Sequence, residues 1–130
     1  MYKISITKES LYTVVTVDGR WTTFELHIRS ATKVWMEIAD YCNDNKTMKL
    51  LVVSKIEGVL SQISSYDITM SMEDIGLRKD IKISYVDMNK QSFKVNSFSA
   101  NYMRNIGYDI EMFNNEDDAI SWLIQSNENK

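Results

Sequence analysis

The chain holds few side chains able to do chemistry, and spacing decides what each could do. Its one histidine, His27, could ligate a metal or carry a proton, yet no carboxylate or thiolate stands at metal-ligand spacing beside it. A surface or helix-edge place is expected. Its one cysteine, Cys42, falls on an apolar stripe with no neighbouring base, which suits a buried, inert thiol rather than a nucleophile. Glu37 and Asp40 are close enough on a helical pattern to act as acid and base, but carboxylates at that spacing ordinarily mark a solvated face. The four glycines, at 19, 58, 76 and 107, are too far apart to form a phosphate-cradling loop. No catalytic residue, metal-ligand set or cofactor is assigned, and a protein that is not an enzyme is expected.

Two constellations remain. The stretch SKIEGVLSQISSYD carries serines at 54, 61, 64 and 65. Ser61 is the best placed by spacing, since a phosphate near a helix start meets unpaired N–H groups and a favourable dipole. The competing reading makes these serines caps and solvent-facing groups. Ser54, Glu57, Gly58 and Ser61 are accordingly the candidate partner-binding or switch residues. The second constellation is soft and apolar: Met70, Met72, Phe98 and Tyr102 could line a groove between two helices, suited to a lipid tail or a partner helix. Core packing accounts for the same residues, because they recur at helical spacing and a sheet needs covering.

The elements that must position these residues are legible in the pattern. Tyr2 to Thr7 and Leu11 to Val17 read as two strands joined by Lys8, Glu9 and Ser10, which makes a hairpin. Asp18-Gly19 ends it. Thr22 with Glu25 has capping-box spacing, and Ile28, Ala31, Trp35, Ile38 and Cys42 form one stripe of a long helix, stopped by Asn43 and Asn45. Lys49 to Val53 is an apolar run suited to a strand buried on both faces. A weaker helical pattern, liable to break, runs from Val59 to Ile75 through Leu60, Ile63, Tyr66, Met70 and Met72, and Gly76 ends it. Ile81 to Val86 alternates as a strand, and Phe93, Phe98, Tyr102 and Ile106 mark a third helix. After Ile106, Gly107 supplies a turn, and Tyr108, Ile110 and Met112 alternate with Asp109 and Glu111. Asn114 then caps a last helix whose first turn holds Glu116, Asp117 and Asp118, where acids meet the positive end of the dipole. Ala119, Trp122 and Leu123 set that helix on the sheet. The order is ββαβαβαβα, so the fold class is α/β with a mixed, mostly parallel sheet, an N-terminal β-hairpin and about four helices.

With 130 residues, 44% of them hydrophobic and 25% charged, the chain is expected to form a single domain over 1–130. A net charge of -3 with dispersed Lys and Arg argues against a nucleic-acid partner. No apolar run approaches the ~20 residues that span a bilayer, and neither a signal peptide nor a cysteine pair is present, so a cytoplasmic location is expected.

Two strings carry a family resemblance. VDGRWT, before the long helix, looks like the GRLT-type turn of STAS domains. YDIEMFNNEDDAISWL looks like the end of the SpoIIAA-like group, also called STAS/SEC14-like, where a strand ending in Phe, an acidic turn and a helix ending Ala-x-x-Trp-Leu recur. The chain thus resembles a SpoIIAA-like domain over nearly its whole length. The resemblance implies a non-enzymatic regulatory or interaction domain that binds a protein partner. The alternative it implies is a carrier or sensor of a small apolar ligand, as in the larger SEC14 lipid-binding relatives; homodimerisation stays open. Phosphorylated antagonists of the family carry an Asp-Ser-Ser-Gly-type motif at the helix after the third strand. This chain has no Asp-Ser pair followed by glycine there.

Overall fold

The computed structural model describes residues 2–20, 24–57 and 62–125. Its elements follow the order β1 (Tyr2–Lys8), β2 (Thr13–Arg20), α1 (Phe24–Asn45), β3 (Lys49–Glu57), α2 (Gln62–Met70), β4 (Lys82–Asp87), α3 (Lys90–Asn105), β5 (Asp109–Phe113) and α4 (Glu116–Ile124). The strands lie side by side in sequence order. β1 and β2 form the antiparallel hairpin, in register from Tyr2 opposite Gly19 to Lys8 opposite Thr13, and the remaining pairs are parallel.

Strand alternation sorts the core into two layers. Leu50, Val52 and Ile83 face α1, α2 and α3, where they pack with Val34, Ile38, Ile68 and Met103. Leu51, Val53 and Val86 face the other way, against Ala119 and Leu123 of α4. β3 is therefore buried on both faces, as its apolar run predicts. The sequential strand order follows from successive crossovers of one hand, which set α1, α2 and α3 on one face. Trp122 anchors α4: it packs on Phe113, and the Lys82 ammonium lies 4.4 Å from its ring centre while donating to its carbonyl at 2.7 Å.

Several boundaries differ from the sequence reading. Helix α1 runs past Asn43 to Asn45, where the Asn45 amide donates to the Tyr41 carbonyl at 2.9 Å. Lys46 then takes a left-handed φ of 52°, and the Thr47 N–H returns to the Cys42 carbonyl at 3.0 Å, a closure usually built on glycine. Thr22 of the expected capping box lies outside the described residues. β3 continues four residues beyond Val53, because β2 still pairs with it as far as Arg20 opposite Glu57.

The second helix is shorter than Val59–Ile75. It ends at Met70, where the Ser71 hydroxyl and N–H both turn back to the Ile68 carbonyl, and tight turns carry the chain to Gly76 at φ 87°. Positions 59–61 lie outside the described residues. The expected phase of this helix also shifts: Ile68 and Thr69 are buried, whereas Tyr66 and Met70 face outward. A nine-residue helix with serines among its apolar residues offers too little periodicity to fix its phase. On α3 likewise, Ser92, Ala100 and Met103 are buried and Phe98 is exposed. Finally Asn115, not Asn114, caps α4, its side chain accepting from the Asp118 N–H at 2.9 Å.

Candidate functional site

At the carboxyl ends of β3 and β4 the sheet and helices α1, α2 and α3 leave a cavity of about 90 Å³. Carboxyl ends of parallel strands are where open α/β sheets place their ligands. Parallel register builds the polar end of the cavity: Ser54 of β3 stands beside Asp87 of β4, and Val52 stands beside Tyr85. Alternation turns Ser54, Tyr85 and Asp87 to the same face, the one beneath α1–α3. Thr69 of α2 and Ser92, Asn96 and Ser99 of α3 add polar groups to the lining, while Val52, Ile68, Met72 and Met112 supply its apolar body.

Asp87 is only 4% exposed. One carboxylate oxygen accepts the Asn89 N–H and the other accepts the Asn96 side-chain amide, both at 3.1 Å. Asn89 in turn caps α3, its side chain accepting from the N–H groups of Gln91 at 2.9 Å and Ser92 at 3.1 Å. Thus the residue that shapes the cavity also fixes the helix above it. Among the described residues no Lys, Arg or His side chain pairs with Asp87.

The Tyr85 ring stacks on Trp35 of α1, with centroids 6.3 Å apart and planes 20° from parallel. Burial pushes the Tyr85 hydroxyl up to about 12; a hydrogen bond with Ser54 opposes that rise, and the Asp87 charge adds to it. Near the C-terminal end of α1, burial raises the Cys42 thiol too, against weaker opposing effects of a Thr47 hydrogen bond and the Arg78 charge. Cys42 is fully buried, which agrees with an inert thiol.

The candidate residues read from the sequence are dispersed. Ser54 lines the cavity, whereas Glu57 is exposed on the last turn of the pleat, three residues on and therefore toward the opposite face. Gly58 and Ser61 lie outside the described residues. Met70 and Tyr102 do meet, the Tyr102 hydroxyl donating to the Met70 sulfur at 2.8 Å, with Tyr66 edge-on to Tyr102 at 5.2 Å. Met72 is buried in the core and lines the cavity from inside, while Phe98 borders a shallow depression with Phe93, Lys94, Ser97 and Asn101 on the outside of α3. His27 lies within α1. Glu37 and Asp40 are exposed on α1, a solvated face. Sequence reasoning missed Tyr85, Asp87 and Asn96. The available signal was local: an Asp-x-Asn at the end of a predicted strand is the mark of a turn that caps a helix.

Among the described residues no group of three His, Cys, Asp or Glu side chains could hold a metal ion, and no helix is long and apolar enough to cross a membrane. Neither a protein-family model nor a curated protein matches the sequence. Solved structures do match. The crystal structure of an anti-sigma factor antagonist from Mycobacterium paratuberculosis superposes with a TM-score of 0.65 over 96% of this chain and 96% of that one, at 12% identity. An uncharacterised protein with a SpoIIAA-like fold from Shewanella loihica superposes with a TM-score of 0.53 over 94% and 93% of the two chains, at 14% identity. With its sheet order, the one antiparallel pair among the described residues and these superpositions together, the chain has a SpoIIAA-like fold.

Proposed function

We propose that this chain is a non-enzymatic regulatory domain that acts by binding a protein partner. The observation that carries the reading is the superposition, end to end, on a protein described as an anti-sigma factor antagonist, which by that description acts on another protein. The partner surface we assign is the outward face of α2 with the adjoining turn of α3. Tyr66 is 48% exposed and Met70 46%, and both contact Tyr102, so aromatic rings and a thioether stand together in solvent. Protein interfaces are enriched in these residue types, and methionine adapts its shape to a partner. Gly58 and Ser61, read from the sequence as binding or switch residues, precede α2 in sequence and lie outside the described residues.

A photo-crosslinking residue placed at Tyr66 tests the proposal in cells of the native host. A discrete covalent adduct is expected from position 66, lost when Met70→Asp is added, and absent when the crosslinker sits at Lys8, exposed on the hairpin. The same background of adducts from both positions would sink the assignment.

A further inference from the structure

We infer that the cavity beneath α1–α3 binds a small organic cation, an alkylammonium group on a short apolar body. This site is separate from the partner face on α2. Of the described residues that line the cavity, Asp87 alone is charged, and it is an acid. An ionised carboxylate offers about four lone-pair sites, and Asn89 and Asn96 use two of them. A buried carboxylate without a cation carries a large desolvation cost, which an ammonium ion at the remaining sites offsets.

The surroundings select the same chemistry. Trp35 and Tyr85 bring two stacked rings to the lining, and aromatic faces attract cations through their quadrupoles. Ser54 adds a hydroxyl oxygen to the lining as a further acceptor. An anion would meet Asp87 with no basic residue among the described lining residues to balance it. Size sets the apolar body: a dry cavity of about 150 Å³ admits benzene, so 90 Å³ suits a body of roughly three to four carbons.

The test uses the full chain and three isosteric probes: isobutylamine, isobutanol and isobutyrate, followed by amide NMR. Isobutylamine should give saturable shifts at Ser54, Tyr85, Asp87 and Asn96. Isobutanol should bind about tenfold more weakly, the scale of one lost charge-assisted hydrogen bond, and isobutyrate should produce no shift at these residues. Asp87→Asn should weaken isobutylamine by a similar factor, and Trp35→Leu by a few-fold. Equal binding of amine and alcohol, or shifts confined to other residues, overturns the inference. Because the comparison is made first on the unsubstituted chain, it decides the matter even if Asp87→Asn fails to fold. N-acetyl-lysine methylamide carries the same ammonium on a peptide stem. If it binds as tightly as isobutylamine, the natural source is a polypeptide lysine; if it does not bind, the source is a free amine. Failure of the amine series leaves crosslinking at Tyr66 unaffected, so the two readings fail separately.

Discussion

Tyr85 reports the electrostatics of its pocket more directly than any neighbouring residue. Its hydroxyl sits between a hydrogen bond that favours ionisation and a carboxylate that opposes it, and burial outweighs both. In a titration followed by carbon NMR of the tyrosine rings, Tyr85 should lose its proton near pH 12. Asp87→Asn should lower that midpoint by removing a negative charge, and Ser54→Ala should raise it by removing the hydrogen bond. The sign for stability follows. Unfolded tyrosine ionises near pH 10, so the native state keeps a proton that the unfolded chain has lost. The contribution is complete below that pH and disappears as pH rises through about 12. A Tyr85 midpoint at the ordinary tyrosine value would contradict this picture of the cavity. Ser84, one position away, points to the α4 layer with its hydroxyl fully buried and, among the described residues, without a hydrogen-bond partner. Ser84→Ala should therefore raise unfolding stability by about 1 kcal/mol in a denaturant titration, since it removes a desolvated polar group and leaves no cavity to fill. A loss of stability would mean that the hydroxyl is satisfied.

Between elements, the most consequential contact comes from Arg78, in the segment between α2 and β4. Its guanidinium donates to the Cys42 carbonyl at 3.0 Å and to the Thr47 carbonyl, closing the end of α1, and pairs with Asp80 at 2.9 Å. The last carbonyls of a helix lack partners within it, so a cation there satisfies them and complements the dipole. Arg78→Met keeps the stem and removes the donors; it should cost about 1.5–3 kcal/mol, the scale of hydrogen bonds to a charged group, read from denaturant unfolding. A change within experimental scatter would assign the closure to Lys46 and Thr47 alone. None of this is legible in the sequence, because the partners lie 36 and 31 positions apart. By contrast the turn after α3 is legible: Gly107 sits at φ 107°, a backbone conformation that residues with a Cβ rarely adopt, and Tyr108 follows at once into the core. Local chemistry is visible in a sequence; contacts fixed by packing are not.

Across the whole molecule the same distinction decides what could be read. The element order, the hairpin and the parallel sheet follow from periodicity and turn residues, which are local, and from crossover handedness, which is general. The cavity escaped because its polar end joins Ser54, Tyr85, Asp87 and Asn96 from three elements, which only the β3–β4 register and the packing of α3 make neighbours. Tyr66 and Met70 likewise read as one helical stripe in the sequence yet face outward, since a short helix conceals which side it buries. The topology also predicts a gradient of stability. β3 is flanked by β2 and β4 and covered on both faces, so its amides should exchange with solvent only through global unfolding. β1 pairs on one side alone, and its outer residues Lys3, Ser5 and Thr7 are exposed. Edge strands open locally at small cost. Native-state hydrogen exchange should therefore give Leu51 and Val52 the full unfolding free energy, with the amides of β1 exchanging through smaller openings. Equal protection in β1 and β3 would refute the gradient and require a second chain to cover the β1 edge.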